Sequence, residues 1–197
     1  MNKLHPTLKP HKEAIRPALP EGDLWIFAYG SLMWNPGFSY VEQHPALLHG
    51  FHRALCVWSH VHRGTPKHPG MVLGLDRGGS CRGYAFRIAA ADKTAITEYL
   101  YAREMPTTIY RATLHPIRLQ DQQQPVSALT FVVDNDHQQY AGKSNAEHFA
   151  RQIHRASGIS GSSREYLYNT LQHLQELGIR DQHLDKIAKL LPDKYGT

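Results

Sequence analysis

Cysteine is scarce in this chain: Cys56 and Cys81 are the only two among 197 residues. Two thiols cannot build a disulfide framework, and such low usage suits a reducing compartment. Long apolar runs are also missing. The longest nearly apolar stretch, Leu24 to Trp34, contains Gly30 and Ser31. It falls far short of the roughly 18–20 residues that cross a bilayer, so a helical membrane span is excluded. The segment before it lacks the apolar block of a secretory leader, carrying instead Lys3, Lys9, Lys12 and Arg16 among Pro6, Pro10, Pro17 and Pro20. Clustered positive charge is lacking too. Lys and Arg total 22 against 17 Asp and Glu, a net +5 with neutral histidines, yet no three basic residues stand in a row. A nucleic-acid face needs a contiguous basic patch, so none is expected, and the mild positive field suits a small anionic substrate. These absences describe a soluble cytoplasmic protein without membrane or nucleic-acid partners.

What is present is enough for one folded domain. Hydrophobic residues make up 41% and charged residues 20%, which excludes wholesale disorder. Residues 1–22 read as a Pro-rich, flexible arm and 23–197 as a single domain. Leu24 to Tyr29 is short, apolar and aromatic, the pattern of a buried strand. Ala46–Ser59, Met71–Leu75 and Arg82–Ile88 also read as strands, the last two separated by a turn at Gly78-Gly79. Helical spacing follows Asp92, a candidate cap, and stops at Pro106. Thr108–Leu119 and Val126–Val133 are two further strands. The final third is helical, with expected capping boxes at Ser144/Glu147 and Ser162/Glu165, stops at Gly158 and Gly178, and a third start at Asp181. The class is α+β, a strand-rich body followed by a helical layer.

Four features could carry chemistry. The loop Tyr29-Gly30-Ser31-Leu32-Met33 leaves a buried strand through glycine and serine; it can present successive backbone N–H groups to an anion, or be a plain tight turn. It is no nucleophile elbow, because G-x-S-x-G is absent. Glu104 falls at the end of the helix before Met105-Pro106, where free carbonyls disfavour a carboxylate. Its pKa should rise, as a general acid/base near neutrality requires, unless it is simply a solvated glutamate beside Arg103 or Arg111. The histidines His44, His49, His52, His60, His62 and His68 crowd one region, and His60-x-His62 would share a strand face. No acidic residue lies between Gln43 and Leu75 to complete a metal site, so none is expected. Gly142-Lys143-Ser144 opens a helix after a strand, but His137 stands where a P-loop needs glycine.

Taken together, Leu24 to Phe38, His62-Arg63-Gly64-Thr65-Pro66, Pro69 to Leu75, Gly79 to Gly83, Tyr99-Leu100, Arg103-Glu104, Tyr140-Ala141-Gly142 and Glu165-Tyr166-Leu167 resemble the ChaC family of glutathione-specific γ-glutamylcyclotransferases, in its bacterial branch. The likeness runs from about residue 23 to 191. It implies a small mixed β-barrel flanked by helices and a reaction without metal or cofactor. It also implies that Glu104 is catalytic and that Ala28, Tyr29, Gly30, Ser31, Leu32, Met33 and Tyr140 bind substrate. The family often carries glycine where this chain has Ala28. The implied reaction turns glutathione into 5-oxoproline and Cys-Gly through attack of the glutamyl α-amine on its own γ-carbonyl. The other readings are a cyclotransferase for different γ-glutamyl amines or dipeptides and a non-catalytic anion-binding module.

Overall fold

Strand β1 (Leu24–Ala28) is apolar throughout because both of its faces are covered, with Leu24, Ile26, Phe27 and Ala28 all buried. In the computed structural model, which describes residues 16–192, it pairs antiparallel with β3 (Gly70–Ile88) and parallel with β5 (Val126–Val133). With β2 (Glu42–Ser59) and β4 (Tyr110–Leu119) the strands close a mixed barrel in the order β1-β3-β2-β4-β5. Phe27, Phe86 and Phe131 are wholly buried, each such side chain worth about 1.5–3 kcal/mol of burial. This is the small mixed barrel that the family resemblance implies.

The turn expected at Gly78-Gly79 is not a chain reversal. β3 runs straight through it, paired with β2 from Glu42↔Arg87 to Ser59↔Gly70. Gly78 and Gly79 take φ of +99° and +69°, and Gly50 on the facing strand takes +85°. The register shifts between His49 and Phe51, so the glycines form a bulge at which the long hairpin bends around the barrel. Local turn chemistry was correct; its meaning was set by the partner strand. β2 ends at Ser59, so His60 and His62 lie in the following loop and not on a strand face.

Helix α1 (Lys93–Glu104) packs Ile96 and Leu100 against the barrel, and Tyr101 meets Phe131 edge-on at 6.3 Å between centroids. Asp92 stands at its N-cap but makes no side-chain cap bond, because its backbone is already helical (φ −95°, ψ −7°). Met105 caps the other end. Most of the Pro-rich arm falls outside the described residues. Its end runs along α1: Arg16 pairs with Glu98 at 2.5 Å and lies over the Tyr101 ring, and Lys93 donates to the carbonyls of Pro20 and Gly22.

The helical layer consists of α2 (Ala146–His154), α3 (Ser163–Glu176) and α4 (Gln182–Lys189). Asn145, and not Ser144, caps α2: extended backbone (φ −83°, ψ 165°) falls one residue later than expected, and Asn145 Oδ1 accepts from His148 N–H. Gly158 does not end that helix, which stops at His154. It lies in a tiny hairpin, β6 (Ser157–Gly158) with β7 (Gly161–Ser162), where an added Cβ would come 2.2 Å from the Val61 carbonyl oxygen. The Ser162/Glu165 capping box, the Gly178 stop at φ +68° and the Asp181 cap on Leu184 N–H all form as expected. No helix of the described residues is long and apolar enough to cross a membrane.

Candidate active site

Where β1 ends, the backbone turns through Gly30 into a single 3-10 turn, Ser31–Met33. Met33 N–H returns to the Gly30 carbonyl and Asn35 N–H to that of Ser31. The N–H groups at the start of a helical turn have no partner within it, so those of Ser31 and Leu32 are free to meet a ligand. Tyr29, Gly30, Ser31 and Leu32 form one wall of a small cleft of about 80 Å³. Glu104, Val72, Leu73, Tyr110, Phe131 and Tyr166 complete it. A larger groove of about 420 Å³ lies away from this chemistry, along β2, β3 and β4 beside Leu177–Ile179.

Each wall is fixed by identifiable bonds. The capping box that starts α3 places Tyr166 one residue after Glu165, and Ser163 Oγ anchors the preceding segment to Arg63 O and Met71 N–H, both at 3.0 Å. Tyr166 accepts from Leu73 N–H at 3.3 Å, while the Tyr110 hydroxyl donates to Leu73 O at 2.6 Å. The two phenols therefore clamp the backbone of one residue of β3, Leu73, through the peptides on either side of it. The proton of Tyr166 finds no acceptor among the described residues and is available to the cleft. Burial pushes Tyr29 and Tyr110 well above the usual phenol range and Tyr166 up to about 12, so all three remain protonated donors.

Glu104 is the last residue of α1 and lines the cleft together with the turn. Burial raises its pKa, opposed by the charge and hydrogen bond of Arg103, whose Nε lies 3.1 Å from Oε1. The expected upward shift is present, with desolvation as its leading cause. Arg103 also binds Ser31 Oγ at 3.1 Å, the Asn35 carbonyl at 2.8 Å and the Tyr99 hydroxyl at 2.9 Å. One guanidinium thus ties the catalytic candidate to the turn. Arg111, the other proposed partner of Glu104, pairs with Asp134 instead.

The sequence-derived residues divide. Tyr29, Gly30, Ser31, Leu32 and Glu104 come together in the cleft. Ala28 is wholly buried in β1 opposite Tyr84, and Met33 is buried behind the turn. Tyr140 is outside the lining; its hydroxyl donates to Asp76 Oδ2 at 2.9 Å. Tyr110 and Phe131 were not singled out beforehand, because residues that converge only after barrel closure leave no local motif. Tyr166 sat in a segment resembling the family but carried no assigned role. Among the described residues no three His, Cys, Asp or Glu side chains come together as a metal site.

Known proteins resemble this chain in sequence and in fold. A family model described as ChaC-like protein matches residues 24–194. The glutathione-specific γ-glutamylcyclotransferase of Escherichia coli K12 is 37% identical over 179 residues, covering 89% of this chain and 77% of that protein. Glutathione-specific γ-glutamylcyclotransferase 1 of Mus musculus is 33% identical over 204 residues, with 96% and 91% covered. A crystal structure of the yeast cyclotransferase specific to glutathione superposes with a TM-score of 0.76 over 89% of this chain and 100% of that one. At 21% identity that likeness speaks for the fold alone.

Proposed function

The chain belongs to the ChaC family, and from that premise we propose that it is a glutathione-specific γ-glutamylcyclotransferase that releases 5-oxoproline and Cys-Gly. The observation that carries the reading is a half-buried carboxylate of raised pKa that lines one small cleft together with a backbone-donor turn. A cleft of this size takes the γ-glutamyl end of the tripeptide and leaves Cys-Gly toward the opening.

The γ-glutamyl carboxylate rests on the N–H groups of Ser31 and Leu32, supported by the Ser31 hydroxyl. Glutathione's α-amine is protonated at neutral pH and must lose a proton before it attacks. Glu104 accepts that proton. The amine nitrogen then bonds to the γ-carbonyl carbon of the same glutamyl group. The amide C–N bond to cysteine breaks as Glu104 returns that proton to the departing nitrogen, and the second proton shed by the ring nitrogen passes to the same amine, which leaves as the Cys-Gly ammonium. No water is consumed and no nucleophilic side chain is needed. Because the attack is intramolecular, the protein's main task is to hold the folded conformer, which Tyr29, Phe131 and Tyr166 do as walls. We assign the Tyr166 proton, which the cleft leaves free to donate, to the γ-carbonyl oxygen. Two buried thiols and a substrate used in its reduced form fit a cytoplasmic enzyme.

The test is incubation of the purified chain with reduced glutathione and detection of both products by mass spectrometry. Equimolar 5-oxoproline and Cys-Gly are expected. Absence of both refutes the reading. Comparable kcat/KM on γ-glutamyl dipeptides that lack cysteine and glycine transfers the chain to a broader cyclotransferase class.

A further inference from the structure

Arg53 lies in β2 and is 5% exposed. No step of the proposed reaction employs it, and no sequence motif marks it. Its Nε–H donates to the Tyr29 carbonyl at 2.5 Å, Nη2 to the Arg82 carbonyl at 2.7 Å and Nη1 to Asp181 Oδ2 at 3.2 Å. The Asp181 side chain is itself 13% exposed, and its other oxygen caps α4 through Leu184 N–H. One buried guanidinium therefore joins β1, β2, β3 and the start of α4 directly behind the turn.

The atom it grips matters most. The Tyr29 carbonyl and the Gly30 N–H belong to the same peptide unit, and Gly30 is the first glycine of the turn that lines the cleft. A charge-assisted bond at that carbonyl fixes the plane of the peptide and draws electron density from its nitrogen. The Gly30 N–H becomes a stronger donor, and the following N–H groups of Ser31 and Leu32 are held in register. From this geometry, and resting on the reading of the cleft given above, we propose that Arg53 is a positioning residue: it aims and polarises the carboxylate-binding turn from behind, with Asp181 as its counter-ion. Glu104 arrives from α1, which Arg53 does not touch. The proposal therefore separates binding from proton transfer.

The test uses the full chain with Arg53→Lys, which retains a buried charge but cannot fork to two carbonyls. KM for glutathione should rise about tenfold or more, the scale of one lost charge-assisted bond, with kcat changed less than threefold. In 15N-labelled protein the amide signals of Gly30, Ser31 and Leu32 should move. Asp181→Ser retains an oxygen to cap α4 while removing the counter-ion, and should give a smaller KM increase in the same direction. It serves as the test if Arg53→Lys does not fold. A folded variant with unchanged KM and unchanged Gly30–Leu32 amides overturns the proposal, even if its melting temperature falls, because Arg53 would then be structural only. If wild-type protein makes no 5-oxoproline, the functional reading fails, whereas the amide shifts still decide whether Arg53 sets the turn.

Discussion

Replacing Glu104 by glutamine separates catalysis from stability, because the two effects differ widely in size. Glutamine keeps the shape and a hydrogen-bonding oxygen but cannot accept a proton. Loss of a general acid/base lowers kcat by about 10²–10⁴, equivalent to about 2.7–5.4 kcal/mol at 1.36 per tenfold. The stability terms are much smaller and oppose each other. The Arg103–Glu104 pair has both side chains 22% exposed, a setting in which ion pairs contribute about 0–1 kcal/mol. The carboxylate also sits at the negative end of α1, which disfavours it by about 0.3–1 kcal/mol. The balance stays below about 1 kcal/mol, a Tm change of no more than about 2–4 °C in a chain of this size.

Its sign depends on pH. Burial raises the Glu104 pKa above the ordinary 4.5, so the folded protein holds this proton more tightly than the unfolded chain does. Wild-type stability therefore declines as pH rises from 4.5 through the raised value, and the glutamine variant escapes that decline. The variant should gain stability relative to wild type at pH 7 and lose that advantage near pH 3. The acid limb of wild-type kcat/KM should likewise lie above 4.5, because the base must be unprotonated. The assays are 5-oxoproline release and thermal melting at the two pH values. A folded Glu104→Gln protein with near-wild-type kcat would refute the assignment, since another group would then carry the proton.

Ser31→Ala removes a hydroxyl but no backbone donor, so KM for glutathione should rise severalfold with kcat little changed; a kcat loss matching that of Glu104→Gln would instead place Ser31 in the chemistry. Asp76 is buried, and although desolvation opposes it, bonds from Asn135, Tyr140 and the Arg77 N–H hold its pKa below the ordinary 3.8. The stability this contributes is complete above 3.8 and is lost as pH falls through the lowered value, so acid unfolding monitored by circular dichroism should be less steep in Asp76→Asn. Gly83→Ala would place a Cβ 2.1 Å from the Ala28 carbonyl oxygen, just before the substrate turn. Overpacking of this kind costs about 1–3 kcal/mol, so Tm should drop by several degrees, and an unchanged melt would show that β1 yields freely.

Ser162, Glu165, Gly178 and Asp181 were legible because a helix end is decided within four residues by its own side chains. Gly78-Gly79 was misread because the same backbone angles serve a reversal or a bulge, and only the facing Gly50 distinguishes them. Asn145 displaced Ser144 because either residue can cap and a shift of one position is nearly neutral in local terms. At the site, Glu104 and the Tyr29–Leu32 turn were readable from helix-end electrostatics and the family resemblance. Arg53, Tyr110 and Phe131 were not, since each is an ordinary strand residue until the barrel brings it to the turn.

Barrel closure also has a temporal side. The parallel pairing of Trp25 with Ala128 and Ile26 with Leu129 joins segments about a hundred residues apart. At translation rates of about 5–20 residues per second, β1 waits seconds on the ribosome before its second edge can be covered. The β2–β3 hairpin, whose halves are neighbours in the chain, can zip meanwhile. The turn that follows β1 thus gains its last supports only after β5, and then Asp181 at the start of α4, have emerged. Catalytic competence should accordingly arise late and all at once during synthesis, and β1, the most apolar strand of the barrel, is the segment a nascent-chain chaperone would shield.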